Sequence, residues 1–184
     1  MSYLLDPDDA LVVLIDVQER HYPTVFDGAA TLARMERLLR ASRALGAHTL
    51  WTEHVPRAFG PTLPALSGAL EGLQPITKRT FGCFLTPDFE RAVAESGRRT
   101  LYLIGAETHI CVQQTALQAL DRGLGAVLVA DALTARGRED HERALARVAA
   151  AGGVVTTWEA LVYEWMQTSA HPRFKEVLGL VKGR

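Results

Sequence analysis

Four short apolar runs punctuate the chain: Ala10–Ile15, His48–Trp51, Thr100–Ile104 and Ala126–Ala130. They are rich in Val, Ile and Leu and do not alternate with polar residues, which is the pattern of strands covered on both faces. Gly153–Thr157 is a fifth candidate. Between the runs, apolar positions recur at spacings of three and four. Leu32, Met35, Leu38, Leu39 and Leu45, with Ser42 on the same face, predict a helix over Ala30–Leu45. Further helices are predicted over Asp88–Ser96 behind Pro87, Val112–Leu120 before Gly123, and Glu139–Ala151 before Gly152. Two more cover Trp158–Gln167 and Pro172–Val181. Strands alternating with helices imply right-handed crossovers and a mainly parallel sheet. The predicted fold is a three-layer α/β/α domain with a Rossmann-like sheet of five or six strands.

Ligands of such sheets bind beyond the carboxyl ends of the strands. Two polar sites lie there: Asp16 directly after the first strand, and Glu107–Cys111 after the strand ending at Ile104. A carboxylate at Asp16 is half-buried and needs a cation to stay charged, or else serves as a turn cap. Cys111 stands between a strand and an Ala-rich helix. Free N–H groups and the dipole of a helix N-terminus favour a thiolate and can hold a developing oxyanion. The alternative for any free cysteine is a small buried hydrophobe. Cys83, between Phe81 and Phe84, reads that way.

Composition narrows the picture only a little. The 184 residues suit one domain, taken here as 1–184. The hydrophobic fraction is 48% and the charged fraction 22%, and the net charge is −1. Nothing in that balance favours nucleic acid or an anionic membrane. No apolar run approaches the roughly 20 residues that span a bilayer, and no basic–apolar leader opens the chain. Two distant cysteines make no disulfide framework, so a reducing, cytoplasmic location is expected.

Taken together, Leu14-Ile15-Asp16-Val17-Gln18, Thr77-Lys78 with Phe81 and Phe84, Gly105–Val112 and Val129-Ala130-Asp131-Ala132 closely resemble the isochorismatase-like cysteine hydrolases. The likeness runs over nearly the whole chain. The tail Ala170–Leu178, and Thr52-Glu53 followed by Pro56, Gly60 and Thr62, are similar to a narrower branch, the isochorismatase domain-containing proteins. The resemblance implies a small-molecule amide or other C–N bond as substrate and a thioester intermediate. It implies a triad of Cys111 as nucleophile, Asp16 as proton carrier and Lys78 as counter-ion. It further implies a cis peptide at Ala106-Glu107, with the N–H groups of Glu107 and Cys111 facing the oxyanion. With the ammonium of Lys78 nearby, Cys111 is expected to rest as a thiolate.

Gln18, His21, Phe26, His54, Phe84 and His109 are candidate pocket walls. Nicotinamidases of this superfamily bind a metal through an Asp-x-His and a later His. Here that region reads Thr52-Glu53-His54, and adjacent residues on extended chain point opposite ways. No metal and no cofactor is expected. Two further readings compete with the amidase: a vinyl ether hydrolase of the isochorismatase type, and a scaffold that keeps the fold without catalysis. Faster labelling of Cys111 than of Cys83 by iodoacetamide separates an enzyme from a scaffold. A homo-oligomer is expected, with Trp158, Leu161, Val162 and Trp165 as an apolar stripe for contact or for the core.

Overall fold

The computed structural model describes residues 4–183. Six strands form one sheet: β1 (Ala10–Ile15), β2 (His48–His54), β3 (Ile76–Lys78), β4 (Thr100–Ala106), β5 (Gly125–Thr134) and β6 (Val154–Thr156). Their order is β3-β2-β1-β4-β5-β6, and every neighbouring pair is parallel. Seven helices connect and cover them: α1 (Gly28–Ala44), α2 (Pro56–Phe59), α3 (Pro87–Ser96), α4 (Gln113–Asp121), α5 (Arg138–Ala150), α6 (Trp158–Met166) and α7 (Phe174–Val181).

The three layers follow from the period-two direction of strand side chains. Val12 and Leu14 of β1, Tyr102 and Ile104 of β4, and Val127 and Val129 of β5 meet Met35 and Leu38 of α1, Leu161 and Trp165 of α6 and Val177 of α7. Leu11, Val13 and Ile15, with Leu101, Leu103 and Leu128, meet Phe89 and Val93 of α3, Val112, Ala116 and Ala119 at α4, and Val148 of α5. Both faces of the central strands are therefore spent, which is why their sequences are apolar without alternation. Each fully buried Leu or Ile contributes about 1.5–3 kcal/mol by removal from water.

One element is new here, and one open reading resolves. The edge strand β3 is short and was not foreseen, since Ile76-Thr77-Lys78 carries no apolar run. The stripe Trp158, Leu161, Val162 and Trp165 is buried within this chain, so it supplies core and not a contact surface.

The register sets the stage for the site. Ile15 pairs with Thr52 on β2 and with Gly105 on β4, while His54 pairs with Lys78. The carboxyl ends of β1, β2, β3 and β4 thus open on one edge. Between β1 and β4 the chain order reverses, and the crevice at such a switch point is where ligands of this architecture bind. Gly105 is required there. Its φ is +117°, and a Cβ at that position would collide with the Ile15 carbonyl oxygen.

Candidate active site

Asp16 leaves β1 with φ +52°, a left-handed turn that a short polar side chain tolerates. The turn swings its carboxylate under the ends of β2 and β3. Thr52 Oγ1 donates to Asp16 Oδ1 at 2.7 Å, and Lys78 Nζ donates to Oδ2 at 2.5 Å. The ammonium also reaches the carbonyl oxygens of Thr80 at 3.1 Å and Phe81 at 3.4 Å, and Cys111 Sγ at 3.5 Å. Lys78 is only 2% exposed. A buried ammonium with four acceptors is held as a counter-ion and is not a solvated surface charge.

Cys111 comes from the opposite side. Ala106-Glu107 is a cis peptide, and Thr108–Val112 form a π-helical turn that leads into α4. Pins on the turn fix the thiol. Thr115 Oγ1 donates to Cys111 O at 2.7 Å, Thr108 Oγ1 donates to Thr134 O at 2.9 Å, and the N–H groups of Ile110 and Val112 donate to Glu107 O. Cys111 is 7% exposed, and what exposure it has is to a cleft of about 470 Å³.

The electrostatics of this group correct one expectation. Burial pushes the Cys111 thiol up, the Asp16 carboxylate pushes it further, and Lys78 pulls it back only in part. These influences favour the neutral thiol over the thiolate. Burial also works against the Lys78 ammonium, yet Asp16 and Cys111 outweigh it and its pKa rises. One ammonium thus serves two neighbours, the Asp16 carboxylate and the Cys111 sulfur. Cys83, wholly buried, is pushed up to about 11 by burial.

Of the candidate walls, Gln18, His21 and His54 line the cleft together with Ala106 and Glu107. Gln18 is spent on local structure: its Nε2 donates to Gly60 O and its Oε1 accepts from the His54 N–H. Phe26, Phe84 and His109 do not line the cleft. Phe26 packs on His141 under Arg138, and Phe84 packs edge-on against Phe89 in the core. His109 turns aside, with Nδ1 4.0 Å from Glu107 Oε2 and without a hydrogen-bond partner. Lining residues that sequence reasoning missed are Arg20, Thr24, Phe59, Phe81, Ile110 and Arg136. Phe81 and Phe59 flank the His54 ring at 5.7 and 5.6 Å, making an aromatic wall. Burial and the nearby Lys78 lower the His54 pKa, so this wall is neutral at pH 7. Thr52 was also missed as a partner of Asp16.

Glu53 and His54 point apart, as extended chain requires. Glu53 faces inward and accepts from Thr62 N–H and Oγ1 at 2.7 and 2.9 Å, while His54 faces the cleft. Among the described residues, no group of three His, Cys, Asp or Glu side chains is placed to hold a metal ion. No helix among them is long and apolar enough to cross a membrane.

A family model for the Isochorismatase domain matches residues 10–160. Isochorismatase domain-containing protein 2 of Bos taurus is 36% identical over 177 residues, covering 96% of this chain and 84% of that one. Among solved structures, the MAR1 ribonuclease from Caenorhabditis elegans superposes with a TM-score of 0.90 at 30% identity, over 97% of this chain and 92% of that one. YcaC from Pseudomonas aeruginosa, solved with hexane-2,5-diol and covalent acrylamide, gives a TM-score of 0.91 at 25% identity, over 98% and 93%. With these matches spanning the sheet and every element that frames the cleft, the chain belongs to the isochorismatase-like hydrolase family, alongside the isochorismatase domain-containing proteins.

Proposed function

We propose that this chain, acting as one domain, hydrolyses the C–N bond of a small amide through a thioester on Cys111. The observation that carries the reading is the position of Lys78 Nζ, 2.5 Å from Asp16 Oδ2 and 3.5 Å from Cys111 Sγ at the floor of the cleft. Cys111 Sγ attacks the carbonyl carbon, and Asp16 takes the thiol proton as the C–S bond forms. The N–H groups of Glu107 and Cys111 receive the oxyanion. The intermediate collapses, the C–N bond breaks, and Asp16 returns the proton to the leaving nitrogen. Asp16 then takes a proton from water, whose oxygen attacks the thioester. The C–S bond breaks, the acid leaves, and the proton returns to sulfur. Both cysteines are free, and a mechanism that needs a free thiol suits a reducing compartment such as the cytoplasm.

The test is a panel of small amides, ureas and carbamates assayed on the wild-type chain, with a short RNA as a competing substrate. Turnover of at least one amide, undiminished by exhaustive chelation, is the expected result, because Glu53 and His54 cannot converge on one ion. The C. elegans relative is described as a ribonuclease. Here the cleft presents two arginines, one of them engaged by Glu107, which is a poor track for a polyanion. Cleavage of RNA without turnover of any amide would overturn the reading.

Assembly is proposed on the family resemblance. Phe81 at the cleft, Leu85 in the turn after it, and Val154 and Val155 on the edge strand β6 are exposed apolar residues. Light scattering at micromolar concentration is expected to give the mass of two or more chains; a single-chain mass would contradict it.

A further inference from the structure

Glu107 has a second role available besides its backbone. Its side chain is buried, and the two carboxylate oxygens are treated very differently. Oε2 accepts from the Arg136 N–H at 2.9 Å and from Arg136 Nε at 3.1 Å. Oε1 accepts no hydrogen bond from the described residues; its nearest cation-forming neighbour is His21 Nε2 at 3.5 Å, beyond a good N–H···O contact. Glu107 and His21 both line the cleft that holds Cys111. A carboxylate oxygen of a buried residue, with an unused lone pair at a cavity, suits a donor from whatever fills the cavity.

The same cleft is lined by the aromatic wall of His54, Phe59 and Phe81, with Phe81 54% exposed. A flat group is favoured there by stacking and by burial of its apolar face. Arg136 offsets the Glu107 charge from the Oε2 side, so Oε1 suits a neutral N–H or O–H donor better than a full cation.

We infer that Glu107 is a specificity-determining residue, and that the substrate is a flat, preferably aromatic amide carrying an N–H or O–H donor on its edge that bonds to Glu107 Oε1. This rests on the amide reading above. A ring bearing an acceptor at that place, such as a pyridine carboxamide, would set a lone pair against the carboxylate and be rejected.

The probes are the three aminobenzamides, each against its methyl isostere, the corresponding toluamide, with pyridine-3-carboxamide as the acceptor control. Hydrogen bonds to a charged group are worth about 1.5–3 kcal/mol, or about 10- to 150-fold. At least one amino compound is expected to exceed its methyl partner tenfold or more in kcat/KM. In Glu107→Gln that ratio should fall to threefold or less for the same pair. Affinity for each probe is measured in parallel on Cys111→Ala by calorimetry, which does not depend on turnover. All three pairs within threefold of each other in both measurements would overturn the inference while leaving hydrolysis at Cys111 untouched. Preferential binding of an amino compound, with none hydrolysed, would support the donor site and count against the amidase. Should Glu107→Gln fail to fold, Glu107→Asp provides the second test. Its carboxylate is one methylene shorter, so the preference should shrink and not invert; an undiminished preference would likewise overturn the assignment.

Discussion

Cys111→Ser is expected to lower hydrolysis of any amide substrate by at least about 10⁴-fold while leaving the fold in place. The substitution changes one atom in a packed turn. Its hydrogen-bond pins, Thr115 Oγ1 to the Cys111 carbonyl and Thr108 Oγ1 to Thr134 O, do not involve the sulfur. Thermal unfolding should therefore stay within a few degrees of wild type. Chemistry should not survive. A hydroxyl is a much weaker acid than a thiol, and the environment already disfavours the anion through burial and the Asp16 charge. Lys78, shared with Asp16 at 2.5 Å, has too little attraction left to stabilise an alkoxide. The companion measurement is intact mass after acid quench during turnover. The wild-type chain should show a population heavier by the acyl group, located on the peptide containing Cys111. Retention of more than about one per cent of activity in Cys111→Ser, or an adduct elsewhere, would end the thioester mechanism.

What could be read from the sequence divides along a physical line. Strands buried on both faces announce themselves, because every residue of Ala10–Ile15 and of Leu101–Ile104 is buried and of apolar type. The three-residue edge strand β3 carries no such signature, and Lys78 was placed only through its resemblance to a known lysine segment. Chain neighbours of a motif also mislead about direction. Phe84 and Phe81 flank Cys83 on the same stretch, yet the 3₁₀ turn at Cys83–Leu85 turns Phe84 into the core and leaves Phe81 at the cleft. Phe26 follows β1 but is drawn away to His141 and Arg138, on α5. The missed residues Arg136 and Phe59 reach the cleft from the loop after β5 and from α2, far in sequence from Cys111. Only the assembled fold brings them together. The upward push on the Cys111 pKa escaped for a related reason: a helix N-terminus and a lysine are visible in sequence, whereas burial and the competing claim of Asp16 on Lys78 are properties of the packed site.

That competition yields the most discriminating expectation. Asp16→Asn should accelerate alkylation of Cys111 at pH 7 by at least about tenfold and at the same time reduce hydrolysis by about 10²- to 10⁴-fold, the range for loss of a positioned acid–base group. The sign follows from the site. In the wild-type chain the Asp16 carboxylate raises the Cys111 pKa and occupies the Lys78 ammonium. The amide is neutral, so the like charge vanishes and Lys78 is free to pair with sulfur, 3.5 Å away. Both changes lower the thiol pKa. Below that pKa, each unit of fall gives about ten times more thiolate. Hydrolysis nevertheless fails, because the amide can neither take the thiol proton nor return it to the leaving nitrogen. Lys78→Ala should move alkylation the other way, shifting its pH profile upward, since the one group that pulls the thiol pKa down is gone. The rate of iodoacetamide labelling at Cys111 across pH 6 to 10, in the wild-type chain and both variants, decides it. Cys83, wholly buried, serves as the internal control. Slower alkylation in Asp16→Asn would mean that Asp16 activates the resting thiol instead of holding it protonated, and the assignment of Asp16 as the base that waits for substrate would fall.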